Sequence, residues 1–163
     1  MNNQGYYITT NGERVIIEPQ EIIYLSNSNI VELILPSGIK SVYCSNNQLK
    51  ELILPSGVKY VHCDDNQLKE LILPSGIEFV SCENNNITGL ILPSGVKDVY
   101  CENNNITGLI LPSGIEIVYC RNNNITGLIL PAGIRNVSCD DGAIDDPIIY
   151  KDWDINLEIY FYK

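Results

Sequence analysis

The sequence predicts an all-β solenoid, a short motif coiled repeatedly about one axis with a parallel sheet along one side. Three observations carry that expectation. Proline recurs at Pro36, Pro55, Pro74, Pro93, Pro112 and Pro131, 19 residues apart each time, inside Leu-Pro-Ser-Gly or, in the last copy, Leu-Pro-Ala-Gly. Between prolines the same landmarks return: Ile39, Val42, Cys44, Asn47, Leu49, Leu52 and Leu54 in one copy, then Val58, Val61, Cys63, Asn66, Leu68, Leu71 and Leu73 in the next. A unit this short cannot bury its own apolar side chains, so the copies must stack into one continuous core. Finally, alternation around Val42-Tyr43-Cys44 marks a strand, while the return segment Leu49 to Gly57 is too short for a helix and contains β-branched residues before a Pro-Ser-Gly turn. Extended convex backbone, almost no helix and weak curvature follow from that return segment.

Taken in order, residues 1–19 are expected to form an N-terminal β-hairpin cap. Tyr6-Tyr7-Ile8-Thr9-Thr10 and Glu13-Arg14-Val15-Ile16-Ile17 flank Asn11-Gly12, the strongest short hairpin signal. Residues 20–149 hold about seven turns, the last degenerate, because Gly142 stands where earlier copies have asparagine and Pro147 where they have leucine. Residues 150–163 carry Trp153 and then Ile155, Leu157, Ile159 and Phe161 in alternation, the pattern of a C-terminal capping strand with one apolar face. Both ends of a solenoid expose open core, so covers are required.

Within a turn, Val42 and Cys44 point inward while Ser41, Tyr43 and Ser45 point outward. Asn47, Asn66, Asn85, Asn104 and Asn123 stand where the chain turns inward, and an amide there can satisfy backbone groups that burial would otherwise leave unpaired. Cys44, Cys63, Cys82, Cys101, Cys120 and Cys139 occupy one inward position of successive strands. Their side chains run parallel at about 4.8 Å rather than converging, which opposes both disulfides and a tetrahedral zinc site. Six buried thiols behaving as small apolar groups suit a reducing compartment, hence a cytoplasmic protein.

The pattern L-x-x-L-x-L-x-x-N-x-L carried by these landmarks resembles the leucine-rich repeat. The short unit and its Leu-Pro look most like the bacterial subclass found in secreted effectors of pathogens. That resemblance implies a right-handed coil whose concave parallel sheet binds proteins. The cysteine at an aliphatic position, the very short unit and a hairpin where such effectors commonly use helices are departures. Some members of the subclass carry a cysteine ubiquitin ligase domain beyond the repeats, and this chain ends before such a domain.

The 163 residues carry a formal charge of −10. Nucleic acid and anionic membrane would be repelled by that field, so neither is expected as a partner, whereas a basic protein surface would be attracted. No basic-then-apolar start opens the sequence and no apolar run approaches membrane-spanning length. Delivery to a host cytosol through a dedicated export route would leave no such mark. The acceptor triplets at Asn86, Asn105, Asn124 and Asn136 are read as by-products of the repeat.

Candidate binding residues fall into columns across the concave sheet. Tyr24, Tyr43, His62, Tyr100 and Tyr119, joined by Tyr60 and Phe79 of the neighbouring column, put seven rings on one face. Exposed aromatics on a rigid sheet serve interfaces as anchors because they bury much area at little rotamer cost, although such residues also simply suit strands. The next column holds Asp64, Glu83, Glu102 and Arg121, and its three stacked acids cost stability unless something offsets them. A basic segment laid across the face would do so; duplication of a copied acid would explain it equally. The column Glu21, Lys40, Lys59, Glu78, Lys97, Glu116 and Arg135 mostly alternates in sign and needs only mutual pairing.

On the convex side, Ile34, Ile53, Ile72, Ile91, Ile110 and Ile129 form an outward stripe, and in the last three copies the preceding Lys-Glu becomes Thr-Gly. Self-association, through Ile91, Ile110 and Ile129 or through an end strand, is the structural alternative to partner binding. His62, Ser81 and Asp64 share the concave face, yet a flat sheet whose amides are engaged in its ladder offers no oxyanion donors, so no enzyme activity and no cofactor are expected.

Overall fold

The computed structural model describes residues 4–140, 142–144 and the backbone of 158–162. Its concave wall is an eight-stranded parallel sheet. In chain order the strands outside and inside that wall are β1 (Gly5–Thr9), β2 (Arg14–Ile17), β3 (Ile22–Tyr24), β4 (Ile30–Ile34), β5 (Ser41–Tyr43), β6 (Tyr60–His62), β7 (Phe79–Ser81), β8 (Asp98–Tyr100), β9 (Ile117–Tyr119), β10 (Asn136–Asp140) and β11 (Glu158–Tyr162). The wall runs β11-β10-β9-β8-β7-β6-β5-β3. Registers such as Val42↔Val61 and Val99↔Val118 keep every repeat landmark level with its copy one turn away. No helix occurs among the described residues. Convex backbone is extended enough that Ile34, Ile53 and Ile72 form parallel bridges with one another.

Each turn contributes the same inward set. Val42, Cys44 and Leu49 are fully buried and Leu52 nearly so, and their copies behave alike along the whole coil. At about 2 kcal/mol for burying one aliphatic side chain, four or five such residues per turn supply the main stacking force. All six cysteines are buried thiols inside that core. Burial pushes the Cys44 thiol up to about 12 and raises the thiols of Cys63, Cys82, Cys101 and Cys120.

The asparagine ladder closes the backbone accounting. Asn66 Oδ1 accepts from Leu49 N at 3.0 Å, and its Nδ2 donates to Cys44 O of the preceding turn at 3.0 Å and to Cys63 O of its own at 3.1 Å. Asn85, Asn104 and Asn123 repeat the arrangement one turn later each time. Immediately before each ladder amide lies a residue in the left-handed region: Asn46, Asp65, Asn84, Asn103 and Asn122, with φ between 52° and 56°. Asparagine and aspartate tolerate that region better than other non-glycine residues, which explains why each copy places one there.

The N-terminal strands do more than form a ribbon. β1 and β2 pair antiparallel about Asn11-Gly12, with Gly12 at φ 83°, and β1 also pairs antiparallel with β4, so the hairpin extends the convex layer. Gly5 lies so close to the first convex turn that an added Cβ would fall 2.3 Å from Pro36 Cδ and 2.6 Å from Ile34 O. Ile17 is buried and Tyr7 packs against the core, covering it at that end. At the other end β11 pairs parallel with β10, Val137 opposite Ile159. Pro147, Trp153, Ile155 and Leu157 lie outside the described residues.

Candidate functional site: the concave face

Six strands, β3 and β5 to β9, position the aromatic columns. Tyr24 of β3 stacks on Tyr43 of β5 with ring centroids 4.9 Å apart and planes 15° from parallel; Tyr43 stacks on His62 of β6 at 4.7 Å and 14°. The series then changes column. Ser81 is too small to continue it, and Phe79 of the same strand takes the place, 4.7 Å from His62 and 5.6 Å from Tyr100. Tyr100 meets Tyr119 edge-on at 5.0 Å. Six rings thus form one continuous ladder held at the strand spacing. Tyr60 stands apart from it and donates its hydroxyl to Glu78 Oε2 at 3.0 Å.

In such a ladder the ring faces are largely spent on each other, so the face presents ring edges and hydroxyls. Tyr24, at the end, is 73% exposed and offers an open ring face. Burial lowers the affinity of His62 for a proton, opposed by the nearby Asp64 charge. His62 therefore favours the neutral, stacking form.

Strand alternation placed Ser41, Ser81 and Ser138 on the outward side, and they are on it, yet all three are buried. The reason is size: Ser41 stands in register between Ile22 and Tyr60, and Ser81 beside His62 and Tyr100, whose bulk covers a small hydroxyl.

The acidic column solves part of its own repulsion. Asp64 accepts hydrogen bonds from Ser45 Oγ at 3.0 Å, Ser81 Oγ at 2.5 Å and the backbone N of Glu83 at 3.0 Å. Glu102 pairs with Arg121 Nε at 2.9 Å. Glu83 lies between these two satisfied anions. Burial first, then a hydrogen bond with Glu102 and the charges of Asp64 and Glu102, push its carboxyl up to about 7. The three stacked acids therefore do not all carry charge near neutrality. Asp140 plays another part, accepting from the backbone N of Asn122 and Asn123 at 3.0 and 3.1 Å.

The alternating column forms ion pairs as its sequence implied: Lys59 with Glu78 at 2.7 Å and Arg135 with Glu116 at 2.9 Å. Both pairs are exposed, so solvent screening leaves each little net contribution to stability. His62, Ser81 and Asp64 are near one another but are not joined in a serine-histidine-aspartate series. The Ser81 hydroxyl donates its hydrogen bond to Asp64 rather than to His62, which is held in the ring ladder, and the amides of Cys63, Cys82 and Cys101 are spent in the sheet. A hollow of about 610 Å³ lies elsewhere, on the convex side between Lys50, Glu51, Ile53, Lys69, Glu70 and Ile72.

The sequence reading did not foresee the column change at Phe79, the partial protonation at Glu83 or the left-handed ladder. The Asn-Asn and Asp-Asn doublets repeating in every copy were the available signal for the last.

No protein-family model and no curated protein matches the chain. Among solved structures it is similar to a Shigella effector LRR domain, with a TM-score of 0.65 and 21% identity over 87% of this chain and 81% of that one. It is also similar to YopM from Yersinia enterocolitica, with a TM-score of 0.52 and 24% identity over 64% of this chain and 29% of that one. The fold is thus that of the leucine-rich repeat solenoid.

Proposed function

We propose that this protein is a non-catalytic binding scaffold whose concave aromatic and acidic face holds a basic segment of another protein. The observation that carries the reading is the coincidence, on one rigid sheet, of the six-ring ladder with the Asp64-Glu83-Glu102 column. Tyr24, Tyr43, Tyr60, Tyr100 and Tyr119 supply anchoring area and hydroxyls, while His62 and Phe79 complete the stack. Asp64, Glu83 and Glu102 attract a cation, and an ammonium or guanidinium group arriving at Glu83 would release its proton and gain a full carboxylate. Arg121 holds Glu102 in place at the rim.

The fold shared with a Shigella effector LRR domain supports a protein-interaction role and is consistent with action in a host cytosol, where buried thiols stay reduced. The test is a quantitative pull-down from host-cell lysate with the wild type and with Tyr100→Ala/Tyr119→Ala. Partner capture should be lost in the double variant while its thermal unfolding stays close to wild type, and added salt should weaken capture. Undiminished capture by the double variant overturns the assignment of this face.

A further inference from the structure

The convex stripe divides into two unlike halves. Ile53 and Ile72, 72% and 74% exposed, follow Lys50-Glu51 and Lys69-Glu70, whereas Ile91, Ile110 and Ile129, 87%, 88% and 75% exposed, follow Thr88-Gly89, Thr107-Gly108 and Thr126-Gly127. In the second half, segments 86–95, 105–114 and 124–133 carry no charged residue at all.

The glycines there are the independent clue. Gly127 has φ 68°, which explains it locally, but Gly89 and Gly108 have ordinary φ, and a Cβ built on either meets nothing within 4 Å. The chain's own fold asks for glycine at neither place, and its earlier copies carry glutamate there. Glycine costs conformational entropy without return inside this molecule. A surface approaching from outside would profit from the missing side chain.

We propose that this half of the convex face is a two-fold interface between two copies of the chain. Three features select a second copy over another occupant. Each copy carries a formal charge of −10, so two copies repel over most of their surface and can meet closely where the convex segments of three consecutive turns are uncharged. Two identical ladders share one rung spacing, so an antiparallel arrangement with Ile110 nearest the axis sets Ile91 of one copy near Ile129 of the other throughout. Six isoleucines at about 100 Å² each, with the flanking leucines, prolines and threonines, bury on the order of 1,000 Å², the lower bound for a specific interface. The dimer is accordingly weak and concentration-dependent. It leaves the concave face open and does not depend on the function proposed for it.

Sedimentation velocity over a wide concentration range tests this. The wild type should pass from monomer to dimer in the high-micromolar range. Thr88→Lys/Gly89→Glu/Thr107→Lys/Gly108→Glu, which installs the pair that the first copies already carry, and separately Ile110→Asp, should remain monomeric with unchanged circular dichroism. Ile53→Asp, in the charged half, should still dimerise. A wild type monomeric at every concentration overturns the proposal, as do dimers that persist in the quadruple variant and in Ile110→Asp, or dispersal by Ile53→Asp equal to that by Ile110→Asp.

Discussion

Asn66 donates to the carbonyl of Cys44, one turn before it, at 3.0 Å. That single bond shows how the coil is stitched, because the same amide also satisfies Leu49 N and Cys63 O. Replacing Asn66 with leucine leaves Leu49 N buried and unpaired, at roughly 1–3 kcal/mol, while Cys44 O and Cys63 O each lose one of two amide donors and keep those of Asn47 and Asn85. Asn66→Leu should therefore lower stability by about 1–3 kcal/mol, read as a fall in the urea midpoint. A midpoint within error of wild type would show that water replaces the amide.

Thiol chemistry reports on the facing of every strand. Buried sulfurs whose proton affinity is raised, Cys44 up to about 12, hold almost no thiolate at pH 8. Labelling with an aromatic disulfide reagent should be negligible in the native protein and complete in denaturant. Rapid modification of the native protein would contradict the inward assignment.

The carboxyl of Glu83 gives a pH dependence of defined sign. Unfolded, it would titrate near the ordinary glutamate value of about 4.3; folded, it keeps its proton to about 7. Between the two the folded state binds more protons, so this contribution to stability is fully present below the unfolded value and is lost as pH rises through 7. Thermal midpoints at pH 5 and pH 8 should differ less in Glu83→Gln than in the wild type. An identical difference in both would place the titration elsewhere.

Gly5 tests the docking of the hairpin. A methyl group there would collide with Pro36 Cδ and Ile34 O, and overpacking of this kind costs about 1–3 kcal/mol. Gly5→Ala should raise hydrogen exchange at the β1 and β4 amides first. Unchanged protection would mean that the first convex turn yields freely.

Much of this was legible in the chain. A period of 19 residues with Val42, Cys44, Asn47, Leu49 and Leu52 at constant spacing leaves one way to bury the apolar positions, so the solenoid, the inward thiols, the amide ladder and the sign-alternating pairs such as Lys59 with Glu78 all follow from repetition. The amide bonds and the convex exposure of Ile110 are properties of one turn copied, which is why reading one turn sufficed.

What tertiary structure alone decided is where copies differ. Whether Ser81 is exposed depends on His62, Phe79 and Tyr100 from three strands, and the move of the ring ladder onto Phe79 exists only once those strands are side by side. The proton at Glu83 likewise depends on Asp64 and Glu102, each one turn away, and on how fully the hydroxyls of Ser45 and Ser81 satisfy Asp64. Local pattern determines the direction in which a side chain points. Its environment is set by neighbours 19 residues away on either side, and size, charge and hydrogen bonding between turns are not written in any one of them.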